Sequence, residues 1–170
     1  MNTKFKFDDF EIDFSKRLGK GGFGDVYKAI QKNSGKVYAI KRILNKDYKD
    51  EEINNMLTVM NKSENSIKYF GFFIKDNLIY LIMELCDCSL EQIITEKKLN
   101  EKEIKEILEQ LNDVFKIMNE NSIIHRDIKP ENILIKKLEN NKFLYKLSDY
   151  GLSKKLAQSH KASTHAGTSE

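Results

Sequence analysis

In the first third of the chain, apolar and β-branched residues come in short alternating runs rather than at helical spacing. Residues 10–18, 25–30 and 36–43 read as strands, broken by a glycine-rich stretch and by Asn33-Ser34-Gly35, a hairpin turn. The period then changes. Ile53, Met56, Leu57 and Met60 fall on one stripe of a helix spanning about 47–60. Alternation returns at 67–73 and 78–85, two strands joined through Lys75-Asp76-Asn77.

Beyond residue 85 helical spacing dominates. Ser89 is placed to cap a short helix running to about 95. The strongest helix covers 100–119, with Asn100 as N-cap and Glu103 completing a capping box. Its expected buried face is Ile104, Ile107, Leu108, Leu111, Val114, Phe115 and Met118. Ile123 and Ile124, a polar loop, and a hairpin of 133–135 with 143–147 across the charged connector 136–142 come next; 153–170 has no periodicity. A strand-rich unit holding one helix, followed by a helical unit carrying a polar loop, predicts an α+β chain of two lobes rather than one doubly wound sheet.

Composition narrows the function classes. The chain has 170 residues, 40% hydrophobic and 32% charged, which suits a packed core. A formal net charge of +3 is too small to argue for nucleic acid or an anionic membrane surface. No run of about 18 apolar residues exists, and the first residues lack an apolar signal core. Cys86 and Cys88 are too few for a disulfide framework, and with His125, His160 and His165 at unrelated spacings they make a poor zinc site. Reduced cysteines fit the cytoplasm or the nucleus, and the cytoplasm is the default.

Candidate chemistry begins at Gly19-Lys20-Gly21-Gly22-Phe23-Gly24, a G-x-G-x-x-G stretch with Val26 two residues on. Glycines let backbone amides approach phosphate oxygens with no Cβ in the way. In isolation the pattern is equally a flexible hairpin turn. A dinucleotide-binding glycine turn leads from a strand into a helix, but here strand-like Asp25 to Ala29 follows. A Walker loop needs a Gly-Lys-Ser/Thr ending that is absent. A glycine hairpin lying over phosphates fits better. Lys41 shares a strand face with Val37 and Ala39, an arrangement suited to an adenine floor with a phosphate contact beside it. Such a lysine needs a carboxylate to orient it; Glu52 on the following helix is the first choice and Glu51 the alternative.

The decisive segment is Ile124-His125-Arg126-Asp127-Ile128-Lys129-Pro130-Glu131-Asn132-Ile133-Leu134, which packs six polar groups between apolar pieces. It resembles the catalytic loop of the eukaryotic-type protein kinase family, and the lysine at 129 resembles the serine/threonine branch. The resemblance implies a two-lobe fold with an antiparallel β-sheet N-lobe holding one helix (10–85) and a mainly helical C-lobe (86–170). It implies ATP and Mg²⁺ as cofactors and a protein carrying serine or threonine as substrate, with a regulatory or upstream kinase as a further partner. Asp127 would orient the substrate hydroxyl, Lys129 would neutralise the moving phosphoryl group, and Lys41 with Glu52 would hold the phosphates. Asn132 and Asp149 would bind the metal, the latter in Asp149-Tyr150-Gly151, which resembles the family's Asp-Phe-Gly with tyrosine in place of phenylalanine.

The resemblance also implies a nucleotide pocket of Leu18, Gly19, Gly21, Gly24, Val26, Ala39, Met83, Glu84, Cys86 and Leu134. Met83 would be the gatekeeper, and the backbone of Glu84 and Cys86 would bond adenine. Arg126 would await a phosphate on Thr164, and Thr168 would contact Lys129. By the same resemblance the chain stops inside the activation segment, so its C-lobe is expected to be truncated. A nucleotide- or partner-binding fragment without transfer activity is the alternative to an enzyme.

Overall fold

The computed structural model describes residues 5–21, 24–44, 53 and 57–150. Strands β1 (Phe10–Gly21), β2 (Gly24–Gln31), β3 (Val37–Leu44), β4 (Tyr69–Lys75) and β5 (Leu78–Met83) form one antiparallel sheet in the order β1-β2-β3-β5-β4. A helix between β3 and β4, α1, is described at residues 53 and 57–60. The second unit contains β6 (Cys88–Ser89), α2 (Leu90–Glu96), α3 (Glu101–Glu120), β7 (Ile133–Lys137) and β8 (Phe143–Leu147), with its strands ordered β6-β7-β8. The α+β, two-lobe expectation therefore stands.

Both faces of the larger sheet are covered, which is why its central strands are apolar at nearly every position. On one face Ala29, Tyr38, Ile40, Phe73, Tyr80 and Ile82 pack with Phe10 and with Phe5 from the segment ahead of β1. This strap lies ahead of residue 10, where the sequence pattern places the first strand. Phe7 also stacks edge-on to Phe73 and Tyr80. Gly71, with φ 151°, lies under the strap, where an added Cβ would approach the Phe5 ring to 3.3 Å. On the other face Ala39, Ile43, Phe72, Ile79, Leu81 and Met83 meet Ile53, Leu57 and Met60 of α1. That cluster continues into Leu90, Ile107, Leu111, Val114, Ile133 and Leu147. The lobes thus share one core, and each fully buried aliphatic side chain in it contributes roughly 1.5–3 kcal/mol.

Local signals explain most boundaries. Asn100 accepts from the Glu103 amide (2.9 Å) and the Glu103 carboxylate accepts from the Asn100 amide (2.9 Å), closing the capping box. Ser89 and Gln92 do the same for α2. Asp76 and Asn77 both take positive φ (51° and 58°), the two-residue turn that right-twisted hairpins favour. Three expectations need correction. The strand expected from residue 67 begins at Tyr69, because Ile67 donates to the Leu147 carbonyl (2.9 Å) and Ser66 bridges Leu147 in parallel. The strand expected to reach residue 85 ends at Met83. Ile104 and Leu108, expected on the buried face of α3, are 45% and 60% exposed. The apolar stripe of α3 is wider than the surface that the described residues lay against it. The segment Cys88–Ser89, where the sequence signals only a helix cap, also pairs with Ile135 and Leu134.

Gly24 and Gly19 flank the glycine stretch but meet different surroundings. A Cβ on Gly24, at φ 140°, would sit 2.1 Å from the Arg42 carbonyl oxygen and 2.7 Å from Ile43 Cγ2, whereas one on Gly19 meets nothing within 4 Å. Gly24→Ala is therefore expected to cost at least about 2 kcal/mol of unfolding free energy in urea titrations. Gly19→Ala should cost less than about 1 kcal/mol. Equal losses for the two variants would contradict this packing.

Candidate active site

Antiparallel pairing brings the glycine stretch and Lys41 together. β1 and β2 pair through Gly19 with Val26 and Gly21 with Gly24, and β2 pairs with β3 through Val26 and Lys41. The glycines therefore join two strands of a hairpin and do not open a helix, which removes the dinucleotide-fold reading. Ala39 lies opposite Met83. Both are buried, and Val26, Leu85, Cys86 and Leu134 pack against the same cluster. Ala39, Met83, Val26 and Leu134 thus belong to one apolar cluster, and Val26 pairs with Lys41 across the sheet. Leu18 is exposed.

Lys41 is buried, and its ammonium meets the carboxylate of Asp149. Glu52 and Glu51, expected to orient it, lie outside the described residues, as do Gly22, Phe23, Met56, Gly151, Thr164 and Thr168. Asp149 follows β8 with φ 57°, and Arg126 has φ 71°. A left-handed conformation costs a non-glycine residue about 1–2 kcal/mol, so neighbouring bonds must hold both. His125 Nε2 donates to the Ser148 carbonyl (2.8 Å), while its Nδ1 accepts from the Asp127 amide (3.3 Å). Those two bonds fit one neutral tautomer. Burial pushes the His125 pKa down, against the raising effect of the Ser148 carbonyl. Asn132 receives Ser148 on its carbonyl twice, from the amide (2.8 Å) and from Oγ (2.9 Å). The polar loop is thereby tied to the residue just before Asp149.

The loop's remaining groups converge. Asn132 Nδ2 donates to the Asp127 carbonyl (2.7 Å) and to Asp127 Oδ2 (3.0 Å). Lys129 Nζ lies 3.0 Å from the same Oδ2. The hydrogen bond from Lys129 holds the Asp127 carboxyl below the usual carboxylate range, and that bond raises Lys129 in turn. Both stay charged at neutral pH. With Nδ2 committed, Asn132 keeps Oδ1 for another partner, and Asp149 keeps the oxygen that does not face Lys41. Two hard oxygen donors, one of them anionic, match Mg²⁺, which keeps waters and phosphate oxygens in most of its shell. Among the described residues no cluster of three or more His, Cys, Asp or Glu forms an all-protein metal cage. Arg126 points outward as an exposed residue.

The linker at 84–87 departs from expectation in one respect. The Glu84 amide donates to the Lys68 carbonyl (2.9 Å), so of its backbone only the carbonyl is left for a ligand. Its side chain, absent from the sequence reading, is 9% exposed and heavily engaged. It accepts from the Lys68 amide (2.8 Å), pairs with Lys146 (2.9 Å) and pairs with Lys136 (3.1 Å). Lys146 also donates to the carbonyls of Glu64 (2.6 Å) and Ser66 (3.3 Å). Burial alone would raise the Glu84 pKa, but these donors outweigh it and the net shift is downward. The available signal was a charge inside an apolar run, Ile82-Met83-Glu84-Leu85-Cys86. The Cys86 thiol is pushed up to about 12 by burial and by the Glu84 charge, so it is no nucleophile. Tyr150 is buried, and its hydroxyl donates to Ser66 Oγ (2.8 Å), the partner its sequence position demanded but did not name.

Comparison with known proteins agrees with this geometry. The protein kinase domain family model matches residues 12–170. The serine/threonine-protein kinase pakG of Dictyostelium discoideum is 40% identical over 147 residues, 84% of this chain and 12% of that protein. The serine/threonine-protein kinase KIC1 of Saccharomyces cerevisiae is 35% identical over 182 residues, 99% of this chain and 16% of that protein. The crystal structure of Rad53 1-466 in complex with AMP-PNP superposes with a TM-score of 0.74 at 30% identity, covering 86% of this chain and 39% of that one. This chain spans less than a third of the length of each of these two relatives.

The His125 shift has a stability consequence. Its folded pKa lies below the unfolded value near 6.5, so the unfolded chain takes up this proton more readily. Its contribution is complete above about pH 6.5 and is lost as the pH falls from there toward the folded value. Urea midpoints should therefore drop between pH 7 and pH 5, and His125→Gln should flatten that dependence. Identical pH slopes in the two proteins would contradict the assignment.

Proposed function

The chain belongs to the protein kinase domain family, and from that premise we propose that residues 10–170 form the nucleotide lobe and catalytic loop of an ATP-dependent serine/threonine kinase. The reaction is transfer of the γ-phosphoryl group of Mg-ATP to a protein hydroxyl. One observation carries it: Asp127, Lys129 and Asn132 share one hydrogen-bonded cluster that Ser148 ties to Asp149, itself paired with the buried Lys41. Adenine fits the slot of Val26, Ala39, Met83 and Leu134, with the Glu84 carbonyl and the Cys86 amide as its polar edge. Gly19, Gly21 and Gly24 put backbone amides over the phosphates, and Leu18 covers the entrance.

In this reading the substrate oxygen bonds to the γ-phosphorus as the bond from that phosphorus to the bridging oxygen of ADP breaks. Mg²⁺, when bound, supplies charge neutralisation on the phosphate oxygens. Asn132 and Asp149 would hold it. Asp127 orients the hydroxyl and accepts its proton, a modest demand because the transition state is loose. Lys129, 3.0 Å from Asp127, carries its charge to the transferring group. Lys41 holds the phosphates from the other side. Both cysteines are free, which fits a reducing compartment, and the cytoplasm is the location this reading implies.

A radiolabel transfer assay on a general serine/threonine substrate tests the proposal. Asp127→Asn and Lys41→Met should each lower turnover by at least about 100-fold, in line with loss of a preorganised charged group. Circular dichroism of both variants should match the parent. Transfer that survives Asp127→Asn would remove this residue from the mechanism. Nucleotide binding without transfer in the parent would leave a binding module in place of an enzyme.

A further inference from the structure

Asp149 sits in a strained backbone conformation between two anchors of different kinds. Upstream, Ser148 is fixed to the catalytic loop through its amide, its hydroxyl and its carbonyl. Downstream, Tyr150 is fixed by a ring and a hydroxyl. The ring lies against His125 (5.2 Å between centroids) and Tyr69 (6.5 Å). The hydroxyl donates to Ser66 Oγ at 2.8 Å, and that Oγ donates in turn to the Ile67 carbonyl at 3.3 Å. Tyr150 and Ser66 are each 1% exposed, so water cannot replace either partner. Burial raises the Tyr150 pKa, so the phenol stays protonated and donates.

Ser66 is itself immobilised. Its carbonyl accepts from Lys146, its neighbour Ile67 donates to the Leu147 carbonyl (2.9 Å), and Leu147 donates to the Asn65 carbonyl (2.7 Å). Asn65 also donates to the Tyr145 carbonyl (2.9 Å). The segment carrying Ser66 is thus sewn to β8, the strand that delivers Asp149. Packing alone would tolerate a ring sliding along its axis. A buried directional bond does not, because breaking it costs a hydrogen bond that water cannot replace at this depth.

We propose that Ser66 is a positioning residue that, through the Tyr150 hydroxyl, keeps Asp149 turned inward against Lys41. Loss of the tether leaves the ring packed but frees the Asp149–Tyr150 backbone to leave the left-handed conformation. The backbone consequence stands without the kinase reading. The consequence for metal-nucleotide binding rests on that reading, since it takes Asp149 as a metal ligand.

The test compares Tyr150→Phe, Ser66→Ala and Ser66→Thr with the parent protein. Hydrogen exchange of the Asp149 and Tyr150 amides is measured without ligand, and AMP-PNP affinity by calorimetry with and without Mg²⁺. Tyr150→Phe and Ser66→Ala should each speed exchange about five- to tenfold, the size expected for one buried hydrogen bond. Each should shrink the Mg²⁺-dependent gain in affinity by a similar factor while affinity without Mg²⁺ stays unchanged. The double variant should go no further than either single one, and Ser66→Thr should restore both readouts. Exchange in Tyr150→Phe equal to that of the parent overturns the tether, and Tyr150→Phe is the decisive variant if Ser66→Ala fails to fold. A parent that binds no nucleotide would sink the kinase reading, yet the exchange comparison would still decide the tether.

Discussion

The contact between Lys41 and Asp149 is the constraint around which the molecule is arranged. Both side chains are largely out of water, so each charge needs the other, and an unpaired partner would be costly. Bringing them together requires β3 of one lobe and the end of β8 of the other to be in fixed relation. The shared apolar core supplies that relation, running from Ala39 and Leu81 through Met60 to Leu147 and Val114. The strained Asp149 backbone then becomes tolerable, because Ser148 is held by Asn132 and His125 on one side and Tyr150 by Ser66 on the other.

A second buried charge works at the linker between the lobes. Glu84 gathers Lys146, Lys136 and the Lys68 amide, and Lys146 reaches on to the Glu64 and Ser66 carbonyls. Six groups, from the 64–68 segment, the linker and the β7–β8 hairpin, meet within one polar knot. Satisfied on all sides, it fixes the backbone of the linker between the lobes. This knot and the Lys41–Asp149 pair are two separate ion-paired sites. Ser66 touches both networks, through its carbonyl at Lys146 and its hydroxyl at Tyr150.

What was legible in the sequence follows from the range of the forces involved. Asn100 and Glu103 announce the start of α3 because capping acts over three residues. The strands around the glycines show through alternation, and the polar run His125 to Asn132 shows because so many functional groups in one short loop have no packing purpose. Long-range pairing was not legible. The partner described for Lys41 lies 108 residues away and that of Tyr150 lies 84 away, and no local pattern encodes either. The ion pairing of the Glu84 side chain was signalled only by a charge in an apolar run. The width of the α3 stripe was legible, but which half of it is covered was not, so Ile104 and Leu108 were misassigned. The strap at Phe5 and Phe7 escaped because two aromatics beside lysines and aspartates give no period.

The central claim is that Asp149, held by this scaffold, binds a divalent ion together with a nucleotide. Electron paramagnetic resonance of Mn²⁺ titrated into the protein with AMP-PNP measures it directly. The account predicts tightly bound Mn²⁺ that depends on the nucleotide and that Asp149→Asn abolishes while the nucleotide still binds. Mn²⁺ bound equally well by Asp149→Asn would contradict it.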